Sequence, residues 1–320
     1  MFIVRLLKKY PRVIISQRNN GLGDNLLAAA NAWCHAKHTN RALVIVWQPS
    51  RYLADKKVNA FSHFFKVPDK IEGVPVVVEP SIDPISTFLI SHPLYYLPFP
   101  DPVLLIYKLF SKITKSAQSL FKERLLKKKG VTDRIIKNNE DIQNRVLITH
   151  SCYAPNDSLK LFFDSLKLNS EFQEKVDWFA ERNFKNKKVI GVHIRYYNRS
   201  MAHSDHTKYW QDQVGALCVC LNKIKEAAAG LKQSDYVVFL STDSGLVHDF
   251  ISQSVENLVF YEKDFGSDIS QELHQELPVE TATSTVIEMF LLAKSDILVR
   301  FPHESWFSYY ASLYAKEVIV

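Results

Sequence analysis

The sequence has few cysteines, and they are not arranged as in a structural zinc site. Four cysteines are scattered through 320 residues, with a single Cys-x-Cys pair at Cys218 and Cys220 and no second Cys or His pair at zinc spacing. We therefore expect reduced thiols and a cytoplasmic protein. The apolar pieces of the N-terminus are too short and too interrupted for a signal peptide or a membrane span.

The chain also lacks a strong charge of one sign. Forty Lys and Arg residues against 34 Asp and Glu leave a net charge of +6. This mild excess suits an anionic ligand or a membrane surface. It falls short of the clustered charge of a dedicated nucleic-acid binder, so we expect no nucleic-acid partner. A hydrophobic content of 47% is typical of a globular protein, and the length allows two domains.

Two α/β patterns occur along the chain. In the first, a strand at 13–16, a glycine-containing turn, a helix beginning near Asp24 and a strand at 42–47 predict a βαβ unit with a parallel sheet. The second begins near Lys187. We predict domains at 1–178 and 179–320. The second pattern has strands at 189–195, 236–240, 257–261 and 296–301, and helices at about 211–230, 244–253 and 284–294.

Residues 85–145 interrupt the first pattern with a basic, proline-rich insertion. Residues 103–129 within it mix apolar residues with many lysines. An amphipathic basic helix here could contact an anionic membrane. A solvated helical insertion packed on the first domain is the alternative that we favour.

Gly21, Gly23 and Asp24 lie in the turn between the first strand and its helix. The glycines permit tight backbone conformations, and Asp24 is placed to cap a helix whose N–H groups attract anions. A dinucleotide site would need a third glycine at Leu26 and an acid where Trp47-Gln48 stand. The nicotinamide interpretation fails on both points, and no Walker lysine is present. A simple tight turn is an equally good interpretation of this loop.

His193 and Arg195 end a predicted buried strand and point to the same side of it. Ligands of parallel sheets bind at the carboxyl ends of the strands, where Arg195 falls. A guanidinium matches phosphate geometry through charge-assisted hydrogen bonds. The alternative is an arginine paired with a neighbouring carboxylate and a histidine satisfied within the sheet.

Further polar residues follow other predicted strands. Asp243 and Ser244 end one strand, and either could be the N-cap of the next helix. Thr285-x-x-Glu288 could be a capping box, a structural role for Glu288. Ser305 lies just past the last long strand. Such strand ends together predict a nucleotide pocket.

The same motifs resemble the nodulation-protein NodZ fucosyltransferases. The matches run in order over most of the chain, except the insertion at about 85–145. They are Gly21-Leu-Gly-Asp24 with Trp33 on the following helix, Arg41-Ala-Leu-Val-Ile-Val-Trp47, Tyr52-Leu53, Phe163-Asp-Ser-Leu-Lys167, Gly191-Val-His-Ile-Arg195, Tyr209-Trp210, Leu240-Ser-Thr-Asp-Ser244, Ile287-Glu-Met-Phe-Leu-Leu-Ala-Lys294 and Arg300-Phe-Pro302.

The resemblance implies a GT-B fold, in which two Rossmann-like domains face across a cleft. The C-terminal domain would hold GDP-fucose, and the N-terminal domain would help to receive an oligosaccharide acceptor. Transfer would invert the anomeric carbon without a metal or other cofactor. The sequence agrees on the last point, because it contains no D-x-D motif to hold a divalent cation against a diphosphate.

The resemblance also implies roles for single residues. Arg195 would contact the β-phosphate and stabilise charge on the leaving GDP, as its chemistry suggests. The nucleotide would further contact His193, Asp243 and Ser305, and Glu288 matches an acid that faces guanine in a related enzyme. Gly21 and Gly23 would let the first loop approach the phosphates or the acceptor.

This sequence departs from the family pattern at one position, and the catalytic base is not identified by any motif. Tyr196 stands where the family usually supplies a second basic residue, a loss for donor binding unless Arg199 substitutes. An inverting displacement also needs a base near the acceptor hydroxyl. Asp205 is our candidate among the polar residues after Arg195. The alternative function is a non-catalytic relative that binds a nucleotide sugar or glycan, which Tyr196 favours.

Overall fold

A computed structural model of this chain describes residues 2–84, 86, 146–149, 158–196, 210, 212–265 and 279–320. The chain divides into two compact units. Unit 1 comprises Met1–Asn19, Asn25–Ser50 and Asp55–Lys167, and unit 2 comprises Asn20–Asp24, Arg51–Ala54 and Leu168–Val320. The roles assigned above to domains 1–178 and 179–320 stay predictions.

Unit 1 is an α/β unit with a mainly parallel sheet. Its described elements are α1 (Phe2–Lys9), β1 (Val13–Ser16), α2 (Leu22–Thr39, whose first residues belong to unit 2), β2 (Ala42–Ile45), α3 (Ala60–Phe64), β3 (Phe65–Lys66), β4 (Lys70–Ile71), β5 (Val74–Val77), β6 (Val146–Thr149), α4 (Ser158–Asp164) and β7 (Lys167–Leu168, which spans the boundary).

The sheet of unit 1 has the strand order β4-β5-β2-β1-β6. Strands β5, β2, β1 and β6 are parallel, and β4 is antiparallel to β5. The apolar strands β1, β2 and β6 are buried at every position, as is typical of parallel strands covered on both faces. The parallel pairing of β1 with β2 confirms the predicted βαβ unit.

Trp47 and Gln48, which follow β2, have structural roles. Asn59 Oδ1 accepts a hydrogen bond from the Trp47 backbone N–H at 2.9 Å. The Gln48 amide exchanges two hydrogen bonds with the backbone of Ile82, both at 2.9 Å. Both side chains are buried. The position at which a dinucleotide-binding domain needs an acid thus holds a glutamine that hydrogen-bonds to the backbone of a distant segment.

Unit 2 contains the second α/β pattern. Its elements are α5 (Ser170–Asn183), β8 (Lys188–Ile194), α6 (Gln213–Ala228), a 3₁₀ turn (Gln233–Asp235), β9 (Tyr236–Thr242), α7 (Gly245–Ser254), β10 (Leu258–Phe260), α8 (Val279–Leu292), β11 (Ile297–Phe301), α9 (Trp306–Ser312) and β12 (Glu317–Ile319). They confirm the predicted strands and helices to within a few residues at each end, apart from the start of α8.

The sheet of unit 2 is parallel throughout and has the strand order β10-β9-β8-β11-β12. The chain runs outward from β8 to β10 and then returns to β11 on the other side of β8. The order therefore reverses between β8 and β11, and open α/β sheets bind ligands outside the carboxyl ends of the strands at such a point. Arg195 directly follows β8 at this switch point.

Two of the predicted helix caps are wrong and one is confirmed. Helix α8 begins at Val279, so Thr285 lies inside it, where its Oγ1 donates to the carbonyl of Thr281 at 2.7 Å and cannot form a capping box with Glu288. Helix α2 begins at Leu22, so Asp24 lies in its first turn and not before it. Ser244 is the N-cap of α7, and its Oγ accepts from the Val247 N–H at 3.4 Å.

The membrane prediction cannot be followed in the structure. The segment 103–129 lies outside the described residues, as does nearly all of the insertion at 85–145. In the described ranges, no helix combines the length and the apolar character that crossing a membrane requires.

Gly191 on β8 lets the turn before β11 approach the sheet. A Cβ atom at this position would overlap the Ser295 side chain and lie 3.3 Å from Leu292 Cδ2. We expect Gly191→Ala to lower the free energy of unfolding by about 1–3 kcal/mol, the usual cost of overpacking a buried site. Urea unfolding measures the change.

The matched control is Gly245→Ala, because a Cβ atom at Gly245 would make only ordinary contacts, the nearest at 3.7 Å to Phe265. Its unfolding free energy should change by less than about 0.5 kcal/mol. Equal stability of the two variants would contradict the role given to Gly191.

Candidate active site

Arg195 is held by a carboxylate from the neighbouring strand. Its Nη1 lies 2.6 Å from Oδ2 of Asp243, which follows β9. The other oxygen of Asp243 accepts the Tyr196 backbone N–H at 2.7 Å. The Arg195 N–H donates to the Phe301 carbonyl at 2.8 Å, so its backbone is tied to β11 as well. Arg195 is still about one-third exposed, so a ligand can reach it.

Tyr196 is part of the support for Arg195. Its hydroxyl accepts a hydrogen bond from Gln213 Nε2 at 2.7 Å, and its ring packs edge-on against Trp210 at 4.9 Å. The Trp210 indole N–H donates to the Arg195 carbonyl at 3.1 Å. The residue after Arg195 therefore contributes packing and hydrogen bonding and carries no positive charge.

His193 is a buried, neutral imidazole next to Arg195. Its pKa is lowered well below the usual histidine range, chiefly by burial and further by the positive charges of Arg195, Arg300 and Lys263. The ring lies 5.0 Å from the Phe307 ring at 32°. In the part of the chain that the structure describes, no hydrogen-bond partner reaches its Nδ1. The carboxyl end of β8 thus offers an uncharged polar group beside a charged one.

Arg300 shapes the turn between β11 and α9. Its Nε donates to Ser308 Oγ at 3.0 Å, and its Nη2 donates to the carbonyls of His303 and Ser305 at 2.6 and 3.0 Å. The guanidinium is largely buried. Ser305 is the buried N-cap residue of α9, although its side chain makes no capping hydrogen bond. Arg300 therefore fixes the backbone that follows β11, the strand next to β8 at the switch point.

Glu288 and Lys263 form a buried ion pair. Glu288 Oε2 lies 2.7 Å from Lys263 Nζ and accepts from Ser241 Oγ at 3.0 Å. Burial raises the pKa of Glu288, and the Lys263 ammonium offsets part of that rise. Both side chains are less than one-tenth exposed. Both contacts use Oε2 of Glu288, so this oxygen has a structural role.

The glycine turn belongs to unit 2 through close backbone contact. A Cβ atom on Gly23 would overlap the backbone of Trp306 and Phe307 at the start of α9, which explains why this position is a glycine. Asp24 lies nearby, with its Oδ2 3.2 Å from the position that a Cβ atom on Gly21 would take. Burial raises the pKa of the Tyr52 phenol, and interaction with the Leu22 backbone at the start of α2 is one of the effects that oppose the rise.

The structure brings most of the predicted site residues into unit 2. Asp205 lies outside the described residues, so its role as a base stays a prediction. The described residues of unit 2 that were predicted are Gly21, Gly23, Asp24, His193, Arg195, Asp243, Glu288 and Ser305.

Sequence reasoning missed Lys263, Phe307 and the role of Tyr52. Lys263 follows β10 by three residues, so a survey of basic residues after every parallel strand would have found it. Tyr52 is far along the chain from Arg195, and no local pattern connects the two. Phe307 resembles any apolar residue of a short helix.

Within the described ranges, no group of three or more His, Cys, Asp or Glu side chains is placed to hold a metal ion. Cys34, Cys218 and Cys220 are free thiols, and Cys152 lies outside the described residues.

Residues 10–320 match the model of the family described as Nodulation protein Z (NodZ). The chain belongs to the NodZ family. Nodulation protein Z of Bradyrhizobium diazoefficiens is 31% identical over 312 residues, which cover 96% of this chain and 80% of that protein. The family membership confirms the resemblance seen in the sequence motifs.

Solved structures of the family have the same fold. A NodZ alpha-1,6-fucosyltransferase co-crystallised with GDP is 28% identical to this chain, with a TM-score of 0.68 over 96% of this chain and 94% of that one. The same values hold for a NodZ alpha-1,6-fucosyltransferase crystal soaked with GDP-fucose. The NodZ fold thus extends over nearly the full length of both chains.

His193 should make the stability of the protein depend on pH. Its folded pKa is lowered, so the unfolded chain binds an extra proton below about pH 6.5. The free energy of unfolding that neutral His193 contributes is complete above the pKa of the unfolded state. It is lost as pH falls below that pKa, at about 1.4 kcal/mol per pH unit. His193→Phe keeps an aromatic ring against Phe307 and should remove this slope in urea unfolding measured between pH 5 and 8.

His303→Phe is the control, because His303 is an exposed histidine of the same unit. This variant should keep the acid-side slope of the unmodified protein. An identical slope in the unmodified protein and His193→Phe would show that His193 is protonated in the folded state.

Proposed function

We propose that this chain transfers fucose from GDP-fucose to an oligosaccharide acceptor, with inversion at the anomeric carbon and without a metal ion. Membership of the NodZ family and the GDP and GDP-fucose structures of NodZ relatives support fucosyl transfer from GDP-fucose. The observation that carries the proposal is the place of Arg195. It lies at the switch point of the unit 2 sheet and is fixed there by Asp243.

Arg195 stabilises the leaving group. Negative charge builds up on the diphosphate as the bond to the fucose anomeric carbon breaks, and a guanidinium already in place lowers the energy of that state. Asp243 holds Nη1 and the following backbone N–H, so the side chain need not be reorganised during the reaction. A guanidinium carries five N–H donors in a planar fork, a geometry that suits a phosphate.

His193, Asp243 and Ser305 line the nucleotide in this proposal. A neutral imidazole suits a position beside the nucleotide, because it offers a hydrogen bond without a further charge. The role of Glu288 toward guanine rests on the resemblance alone. The described contacts engage its Oε2 with Lys263 and Ser241, so guanine recognition would use its other oxygen.

The acceptor hydroxyl needs a base as it attacks the anomeric carbon from the side opposite the diphosphate. We assign this role to Asp205. Two features support metal independence: an arginine placed to balance the diphosphate charge and the missing D-x-D motif.

The wider setting of the enzyme belongs to the same proposal. It comprises a GT-B arrangement, an N-terminal acceptor-side domain and a C-terminal donor domain. We propose a cytoplasmic location. Peripheral membrane contact through the basic segment 103–129 stays the less favoured interpretation of that segment, after a solvated helical insertion packed on the first domain.

A non-catalytic nucleotide-sugar or glycan-binding protein is the second candidate. The observation that favours it is Tyr196, whose side chain hydrogen-bonds to Gln213 and packs on Trp210 where the family usually has a cation. Such a protein would bind GDP-fucose and release no GDP in the presence of any oligosaccharide.

Arg195→Ala should abolish transfer. We expect GDP release from GDP-fucose, assayed with a panel of oligosaccharides, to fall by at least about 100-fold, because loss of one donor to a developing negative charge costs about 100- to 1000-fold. Arg182→Ala is the control, since Arg182 lies over the Trp178 ring on the surface helix α5. Normal turnover by Arg195→Ala would overturn the assignment.

A further inference from the structure

Lys263 and Glu288 form an ion pair in the interior of unit 2. Glu288 Oε2 lies 2.7 Å from Lys263 Nζ, and the same oxygen accepts a hydrogen bond from Ser241 Oγ at 3.0 Å. The two charged side chains are only 8% and 4% exposed. Burying an ion pair costs the hydration of both charges and often stabilises a protein no more than apolar packing does. Stability alone therefore does not explain this pair.

The pair lies next to the candidate nucleotide site. Ser241 is on β9, in register with His193 on β8. Side chains in register on neighbouring strands lie on the same face of a sheet. The hydroxyl that contacts Glu288 is therefore on the face that carries His193, near the carboxyl ends of β8 and β9.

The contacts of Glu288 leave one of its oxygens without a donor. A carboxylate oxygen has about two acceptor positions, and Lys263 and Ser241 occupy those of Oε2. Among the residues that the structure describes, no donor reaches Oε1. Guanine has two neighbouring donors on one edge, N1–H and the 2-amino group, and these match the acceptor positions of a single carboxylate oxygen.

Guanine requires the ionised form of Glu288. A protonated carboxyl group carries an O–H donor, which would face the two donors of the base. Burial raises the pKa of Glu288, the Lys263 ammonium and the Ser241 hydroxyl lower it, and Asp243 adds a smaller rise. Lys263 thus supplies the positive charge that opposes protonation of Glu288.

We propose that Lys263 determines the preference of the donor site for guanine, because it keeps Glu288 ionised and holds Oε2 so that Oε1 accepts the base. This inference rests on the proposed function, in which Glu288 faces guanine. Lys263 is a positioning residue, since its ammonium is bound to the carboxylate and acts on the base only through Glu288.

Lys263→Gln removes the charge and keeps a hydrogen-bond donor. Calorimetric titration compares GDP with inosine diphosphate (IDP), which lacks the 2-amino group. We expect the unmodified protein to prefer GDP by about tenfold or more, as for a hydrogen bond to a charged group. In Lys263→Gln at neutral pH the preference should fall to about twofold or less.

The pH dependence of GDP binding is a second readout. Loss of Lys263 leaves burial and Asp243 to raise the pKa of Glu288 further. Since only the ionised form accepts guanine, GDP affinity is kept at high pH and is lost as pH falls through this pKa. In titrations between about pH 5.5 and 8.5, the loss should begin at least about one pH unit higher in Lys263→Gln than in the unmodified protein.

The double variant Lys263→Gln/Glu288→Gln shows whether Glu288 is the group that titrates. Other charged or titratable groups act on the pair or its neighbours: Asp243 after β9, Tyr261 after β10, His193 on β8 and Lys175 on α5. The double variant keeps all of these and loses only the carboxyl group. It should bind GDP and IDP equally and lack the pH shift of the single variant. The phosphates of GDP titrate in every experiment alike.

Lys316→Gln is the matched control. Lys316 Nζ also lies 2.7 Å from a carboxylate oxygen, that of Asp296, but its side chain is 83% exposed. This variant should keep the preference for GDP and the pH profile of the unmodified protein.

Several results would overturn the inference and leave the proposed function intact. They are an unchanged preference and pH profile in Lys263→Gln, equal weakening of GDP and IDP at every pH, and equal binding of both by the unmodified protein. If Lys263→Gln does not fold, the double variant with its uncharged pair decides, because a retained preference for GDP would contradict the inference. No GDP binding by the unmodified protein would overturn the proposed function, and this inference with it.

Discussion

The Asp243 carboxylate is the interaction on which the candidate site depends. It joins two parts of unit 2, because it follows β9, pairs with the guanidinium after β8 and accepts the next backbone N–H. The Arg195 N–H is bound in turn to Phe301 at the end of β11. One carboxylate therefore fixes a charged side chain at the point where the strand order reverses. Without it, the Arg195 guanidinium would lose the carboxylate that lies 2.6 Å from its Nη1.

The rest of unit 2 supports this arrangement with buried polar groups. Lys263 and Glu288 are buried as an ion pair, and hydrogen bonds to a hydroxyl and to backbone carbonyls compensate the buried Arg300 guanidinium. Burial lowers the pKa of His193, and within the described residues its Nδ1 has no hydrogen-bond partner, so the imidazole is neutral. The site thus contains an arginine that can act on an anion next to a group that adds no charge of its own.

Much of this fold is predictable from sequence because parallel strands leave a strong local pattern. Strand β1 is almost entirely apolar and β8 is rich in β-branched residues, and Arg195 and Asp243 follow their strands directly. The failures have a common physical cause. Thr285 matches a capping box in sequence, yet α8 starts earlier and the threonine bonds inside the helix. The contacts of Lys263 with Glu288 and of Tyr52 with Leu22 join distant segments, so no local spacing reveals them.

The central claim is that unit 2 holds a guanosine diphosphate sugar without a metal ion. The most direct test is calorimetric titration of GDP and UDP into the protein in the presence of EDTA. The account predicts saturable micromolar binding of GDP and no measurable binding of UDP. Equal binding of both nucleotides, or GDP binding that appears only when a divalent cation replaces EDTA, would contradict it.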